Sequence, residues 1–420
     1  MLLFYSLALV LVLILGSPYW LFRMAASGKY REGLGERLGF VPDRLVSASE
    51  NAPVIWVHAV SVGELLAAAR MIEELRQRMP GWRIVVSTTT RTGQALARQR
   101  FGEENVFYFP LDFAFAVRAY LRALQPHLLI LMETEFWPRL LVECRRAQIP
   151  VAVVNARISD RSWPRYLRLR FLWKRLLGNF ALVLAQSETD VERLRAIGAS
   201  NVRYGGNLKY DIRAAAPAAV TVAVEKHIAS GTKVLVCGST LEGEEETLLN
   251  AAPLDVLMIL APRHPERFEA VARLLERSGR NWVRRSQWMS APTPLKSGTV
   301  FLLDSIGELA SVYSLANIAF VGGSLVAAGG HNPLEPAQFR VPVVMGPHYE
   351  NFRAIVDQLR VQDAIRIVQP DAMQQELGAF LADEKTAHAM GERAYAVFSS
   401  EAGATTRAVE ALAAVLGERA

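Results

Sequence analysis

Short runs of β-branched and aliphatic residues return along this chain, each followed by a stretch with helical periodicity. VIWV (54 to 57), IVVS (84 to 87), LLILM (128 to 132), VAVV (151 to 154) and LVLA (182 to 185) form one series. KVLVCGS (233 to 239), VLMILAP (256 to 262), TVFLLD (299 to 304), IAFVGG (318 to 323) and VPVVMG (341 to 346) form a second. Runs that are apolar at every position suit strands buried on both faces, and that demands parallel sheets covered by helices. Between the first two runs, Leu65, Leu66, Ala69, Ile72 and Leu75 recur at helical spacing and predict a helix over 63 to 79, ended by Pro80-Gly81. The expected fold class is α/β, with two doubly wound, Rossmann-like domains. At 420 residues, 51% hydrophobic and 21% charged, the chain is long enough for each domain to bury its own core. The Ala-rich segment from Asp211 to Ala223, interrupted by Pro217, reads as the join. The boundaries expected are therefore 23 to 210, a linker region at 211 to 230, and 231 to 420, with a last helix over about 385 to 418 packing back across the join.

Residues 1 to 22, MLLFYSLALVLVLILGSPYWLF, carry no charge and are long enough to cross a hydrocarbon core of ~30 Å as a helix. Arg23, Lys29, Arg31 and Arg37 follow at once, so the positive-inside bias puts the body in the cytoplasm and makes 1 to 22 a membrane anchor. A cleaved signal peptide is the competing reading, given the small residues Ala25-Ala26-Ser27, but no basic residue precedes the apolar segment. A shallow helix with Tyr19 and Trp20 at the headgroups would anchor the chain equally well. The net charge of +6 suits a membrane surface or an anionic substrate, and no nucleic-acid recognition module accompanies it. Cys144 and Cys237 stand alone in apolar contexts, with no Cys/His cluster for a metal and no disulfide framework.

In open α/β sheets, ligands bind beyond the carboxyl ends of the strands. That rule selects HAVSVGE (58 to 64), STTTRTGQ (87 to 94), METEFWPRL (132 to 140) and NARISDRS (155 to 162) in the first domain. In the second it selects CGSTLEGEE (237 to 245), APRHPERF (261 to 268), DSIGEL (304 to 309) and GGSLVAAGGHNPLEPA (322 to 337). Both sets are expected to face one interdomain cleft. Neither GxxxxGK[ST] nor GxGxxG occurs, which disfavours a P-loop or a dinucleotide fold. A sugar nucleotide fits better: backbone N–H groups and Arg263 for phosphate, Glu308 and Glu335 for ribose hydroxyls, and Gly322, Gly323, Gly329 and Gly330 for close backbone approach. Glu64 opens a predicted helix, where a carboxylate is often only a dipole complement. With Glu133 and Glu135 at the next strand end, and Arg157, Arg161 and Lys209 expected nearby, it also suits acid/base chemistry. His58 reads equally as a structural histidine or a site group.

Taken in order, HAVSVGE, METEFWP, NARISDRS, GNLKYD (206 to 211), GSTLEGEE, PRHPERF, GGHNPLEPA and GPHYENF (346 to 352) resemble the successive motifs of 3-deoxy-D-manno-octulosonic acid (Kdo) transferases. The resemblance runs from the apolar segment to about residue 355. It implies a two-domain glycosyltransferase of the GT-B type that moves Kdo from CMP-Kdo to the lipid A precursor, lipid IVA, at the cytoplasmic face of the inner membrane. Carried over by motif, Glu64 corresponds to the general base, and Glu133 and Lys209 to groups supporting the transition state. Pro262 and Arg263, Ile306, Gly307 and Glu308, and Asn332, Pro333, Leu334 and Glu335 correspond to contacts with CMP. Arg139 stands where an Asn is common, Ile306 where a Met is frequent, and Ala327-Ala328 where bulkier or charged residues often occur.

The resemblance implies inversion at the anomeric carbon, with Glu64 taking the acceptor proton as CMP departs. No cofactor or metal is expected, because a single phosphate leaves and the chain contains no DxD motif. The rivals are a sugar-nucleotide epimerase or another GT-B glycosyltransferase on the same fold, and a membrane-tethered binding protein without activity. A serine hydrolase is disfavoured by the absence of GxSxG.

Overall fold

The computed structural model describes residues 2–27, 32–47, 52–211 and 217–417, and within the first helix the side chains of 4–19. It divides into two compact units, Met1–Ile212 with Ala402–Ala420, and Arg213–Glu401.

The first unit is built on a parallel sheet of β1 (Val54–His58), β2 (Arg83–Thr88), β3 (Val106–Tyr108), β4 (Leu128–Met132), β5 (Val151–Ala156), β6 (Leu182–Ala185) and β7 (Val202–Tyr204). Its order is β3-β2-β1-β4-β5-β6-β7. Alternate residues of each strand feed opposite faces: Trp56, Leu129 and Val153 enter one core, and Ile55, Val57, Ile130 and Val154 the other. The topology reverses between β1 and β4, so the loops after these two strands flank the switch point, where such sheets bind ligands.

Residues 402 to 420 belong to this first unit, not to the second domain expected over 231 to 420. The single helix expected over 385 to 418 is two, Glu384–Ser400 and Ala404–Gly417, parted by Gly403 in a left-handed conformation (φ 90). Buried Asp211 explains the return. Its two oxygens accept the N–H groups of Gly403 (2.6 Å) and Thr405 (2.5 Å), capping the last helix from a distant part of the chain. Ala408, Leu412 and Leu416 then fill the core beside Ile55 and Val57.

The second unit holds β8 (Lys233–Thr240), β9 (Val256–Pro262), β10 (Asn281–Arg284), β11 (Thr299–Leu302), β12 (Ile318–Val321), β13 (Val343–Met345) and β14 (Ile365–Ile367). All are parallel, in the order β10-β11-β9-β8-β12-β13-β14. The reversal lies between β8 and β12, which carry Gly238 to Thr240 and Gly322-Gly323 at their ends.

The apolar N-terminal segment forms the helix Leu2–Ser27. Among the described residues, no helix is long and apolar enough to cross a membrane.

Candidate active site

In the first unit, the sequence VSVGE turns directly from β1 into the helix Val62–Arg78. Ser61 is its N-cap and accepts the Glu64 N–H at 3.3 Å. Glu64 reaches back, its oxygens accepting the Val60 N–H at 2.8 Å and the Ser61 hydroxyl at 3.0 Å. This is a capping-box arrangement, so Glu64 does complete the helix start. It does more as well. The side chain is 9% exposed, and burial, followed by the charges of Glu133 and Glu135, lifts its carboxyl to about 7. A carboxylate offers about four acceptor positions, and the capping contacts take two. The structure therefore brings Glu64, Glu133 and Glu135 together, as expected. Glu135 is itself raised, by burial and then by Glu133.

Glu133 and Asn155, immediately after β4 and at the end of β5, hold left-handed backbone conformations (φ 54 and 62). Strain of this kind persists only where the surroundings over-determine it. The Glu133 N–H donates to Val154 O at 2.9 Å, and the Asn155 side-chain oxygen accepts the Leu208 N–H at 3.0 Å. That second bond fixes the one-turn helix Leu208–Asp211, which carries Lys209, against the end of β5. Asn155 thus positions the GNLKYD segment, a role the sequence does not advertise. Arg157 is half-buried and Arg161 exposed. His58 is fully buried, stacks on Phe109 at 3.9 Å and uses Nδ1 on the Ser87 side chain at 2.9 Å. Burial holds it down at about 3, so it is a neutral core histidine at neutral pH.

In the second unit, the loop after β12 differs from its expected use. The N–H groups of Gly323, Ser324 and Leu325 all point at one carboxylate, that of the fully buried Glu244, at 2.7 to 2.9 Å. Leu241 N–H adds a fourth bond at 2.8 Å. These donors are occupied by the protein's own anion and are not open to a phosphate. The first glycine pair is explained internally too: a Cβ on Gly322 would overlap the Ser239 backbone, and one on Gly323, at φ 68, would press on the His331 ring. The EGEE run at a helix start was the available signal for Glu244.

Around the end of β8 a second group assembles. Gly238 leaves room for Leu309, the last residue of the DSIGEL segment, and for the hydroxyl of Tyr313 four residues on. Ser239 is left-handed (φ 56), and Thr240 O accepts the Arg263 N–H at 2.9 Å. Arg263 lies close enough to act electrostatically on both Glu335 and His331. Glu335 keeps part of its surface open, yet protein atoms crowd its carboxyl. That desolvation lifts it to about 7 against the opposing pull of Arg263. Burial first, then Arg263 and His264, holds His331 near 4, and its buried Nε2 has no hydrogen-bond partner among the described residues. No local pattern in the sequence marks His331 as a site group. Asn332 turns its side-chain oxygen back to the Leu334 N–H at 3.1 Å, while Pro333 and Leu334 are buried. Pro262 ends β9. Ile306 is 64% exposed, and Gly307 supplies a left-handed turn (φ 88). Glu308 is held by Arg285 at 2.6 Å and by the Ser305 hydroxyl.

Both units are doubly wound, with acidic groups at the switch point of the first and an Arg/His/Glu cluster at that of the second. Residues 32–212 match a family model described as 3-deoxy-D-manno-octulosonic-acid transferase (kdotransferase). The 3-deoxy-D-manno-octulosonic acid transferase of Haemophilus influenzae is 34% identical over 92% of this chain and 92% of its own length. The chain belongs to the Kdo transferase family. The Bordetella pertussis Kdo transferase is likewise 34% identical, over 95% of this chain and 96% of its own. The fold is shared more widely. A Neisseria meningitidis UDP-GlcNAc 2-epimerase structure, 14% identical, superposes with a TM-score of 0.54 over 86% of this chain and all of that one. The chain is thus a glycosyltransferase of Kdo, acting in lipopolysaccharide biosynthesis.

Proposed function

We propose that this enzyme moves Kdo from CMP-Kdo to the lipid A precursor, lipid IVA, at the cytoplasmic face of the inner membrane, with inversion at the anomeric carbon. The observation that carries the reading is the Glu64 carboxyl, buried beside Glu133 and Glu135 and raised to about 7. A sugar hydroxyl is a poor nucleophile, and a base that gains a proton near neutral pH is matched to taking one from it. General-base help of this kind contributes ~10² to 10⁴ in rate. Glu133 meets the developing oxocarbenium charge, and Lys209 offsets negative charge on the donor. No metal or cofactor enters this proposal, because a departing monophosphate is neutralised by side chains alone.

For the nucleotide, Arg263 is the phosphate partner and Glu335 the ribose acceptor. The unpartnered Nε2 of His331 supplies a further polar contact. Pro262, Ile306, Gly307, Glu308, Asn332, Pro333 and Leu334 line the remaining contacts with CMP. The uncharged N-terminal segment attaches the enzyme to the membrane in which its acceptor resides. CMP release from CMP-Kdo, measured with and without lipid IVA, tests the reading. Release that depends on the lipid supports transfer; release without it, or epimerised sugar nucleotide, would point to an enzyme of another class on the same fold.

A further inference from the structure

The N-terminal helix Leu2–Ser27 is hydrogen-bonded to the folded first unit through its own first turn. The Tyr5 hydroxyl donates to Asp112 Oδ2 at 2.8 Å, and Arg139 Nη2 donates to Ser6 Oγ at 3.1 Å. Both partners are fixed. Asp112 is 3% exposed, and its carboxylate caps the helix Pro138–Arg146 through the N–H groups of Arg139 and Leu140 at 2.9 and 2.8 Å. Arg139 is held in turn by Glu143.

These contacts set the direction of the helix. In a helix crossing the bilayer, the first turn lies roughly thirty ångströms from the last, on the far side of a ~30 Å hydrocarbon core. Asp112 and Arg139 sit in the same compact unit as the chain that leaves the helix, so Tyr5 cannot reach Asp112 from across a membrane. The burial pattern agrees. Tyr5, Leu9, Leu13, Gly16 and Ser17, most of them spaced by three or four, are half-covered, whereas Phe4 (76%), Leu7, Leu11, Ile14 and Leu15 (72%) stand open. Phe115, three residues beyond Asp112, is 61% exposed as well.

We propose that this helix lies in the plane of the membrane, docked on the first unit by Tyr5–Asp112 and Ser6–Arg139, with its Phe4, Leu7, Leu11 and Leu15 face in the lipid. The occupant is acyl chain: the open face is apolar, the segment bears no charge through residue 22, and basic Arg23, Lys29 and Arg31 follow it to meet anionic headgroups. The inference rests on the membrane association proposed above and replaces a spanning anchor with a monotopic one.

Two measurements on the full-length enzyme test it. An N-terminal epitope is followed under protease in membrane vesicles of both orientations; docking predicts digestion only from the side that bears the body. Because both natural cysteines are buried, Ser6→Cys/Arg139→Cys can be joined selectively by a short bis-maleimide in the membrane, and most molecules should be cross-linked. Membrane-bound enzyme whose epitope is cut only from the far side, or whose cysteine pair stays unjoined, overturns the in-plane helix and leaves membrane association standing. Enzyme that remains in the supernatant overturns both.

Discussion

Glu64→Gln separates the helix-start contact of Glu64, which the structure shows, from its proposed work as general base. The amide oxygen can still accept the Val60 N–H, so the helix start is kept, but the basic lone pair is gone. A helix-dipole complement alone predicts a loss of ~0.3 to 1 kcal/mol. The structure predicts the opposite sign at alkaline pH. Burial and two neighbouring carboxylates raise Glu64 from 4.5 to about 7. Its contribution to stability is therefore fully present below about 4.5 and is lost as pH rises through about 7. At about 1.4 kcal/mol per pKa step, the ionised wild type carries a penalty of order 3 kcal/mol at pH 8 that a neutral Gln avoids. Glu64→Gln should then match wild type in denaturant unfolding near pH 4.5 and exceed it at pH 8. Meanwhile transfer from CMP-Kdo should fall by ~10² or more. The wild-type rate should climb with pH through about 7, as the base loses its proton, and the residual rate of the variant should not. Turnover within about threefold of wild type would remove Glu64 as the base, and a variant less stable than wild type at pH 8 would show that its carboxyl is not raised by burial.

Glu244→Gln leaves one oxygen for two of its four backbone donors and turns an NH₂ toward the others; at ~1 to 3 kcal/mol per unpaired N–H, the second unit should lose ~2 to 6 kcal/mol in urea unfolding, and a loss below ~1 kcal/mol would contradict the assigned role. Arg263→Ala should weaken CMP binding by roughly 10- to 100-fold in calorimetry, the worth of a charge-assisted phosphate contact; unchanged affinity would remove Arg263 from the nucleotide site. Asp211→Ala strips the cap from the last helix, which buries Leu412 and Leu416. It should cost the first unit ~2 to 4 kcal/mol and speed amide exchange at Thr405, whereas exchange as slow as in wild type would show the cap to be dispensable.

The central strands were legible because they are buried on both faces and read as unbroken apolar runs; β1, β2, β4, β5 and β6 are buried throughout. The strands that escaped notice are β3, β7, β10 and β14, which are the four sheet edges. They are three or four residues long, and in NWVR and IRI a charged residue breaks the run because one side of the strand is open. The carboxylate trio was legible because each member follows a strand at the switch point. The true use of the glycine loop was not, since a pattern of glycines and donors attracts an anion without saying whose. Here the anion is Glu244, from the start of a helix in the same unit. The return of the last helix to the first unit depends on Asp211 and Gly403, which lie too far apart in sequence for any local periodicity to link them.

Inverting transfer of Kdo to a lipid acceptor, as proposed, leaves its record in the product. Purified enzyme, CMP-Kdo and lipid IVA are incubated, and the lipid is examined by mass spectrometry and by NMR of the new anomeric centre. The expected products are lipid carrying Kdo, joined with a configuration opposite to that in CMP-Kdo, and free CMP. Lipid of unchanged mass, or a Kdo linkage of retained configuration, would contradict inverting transfer.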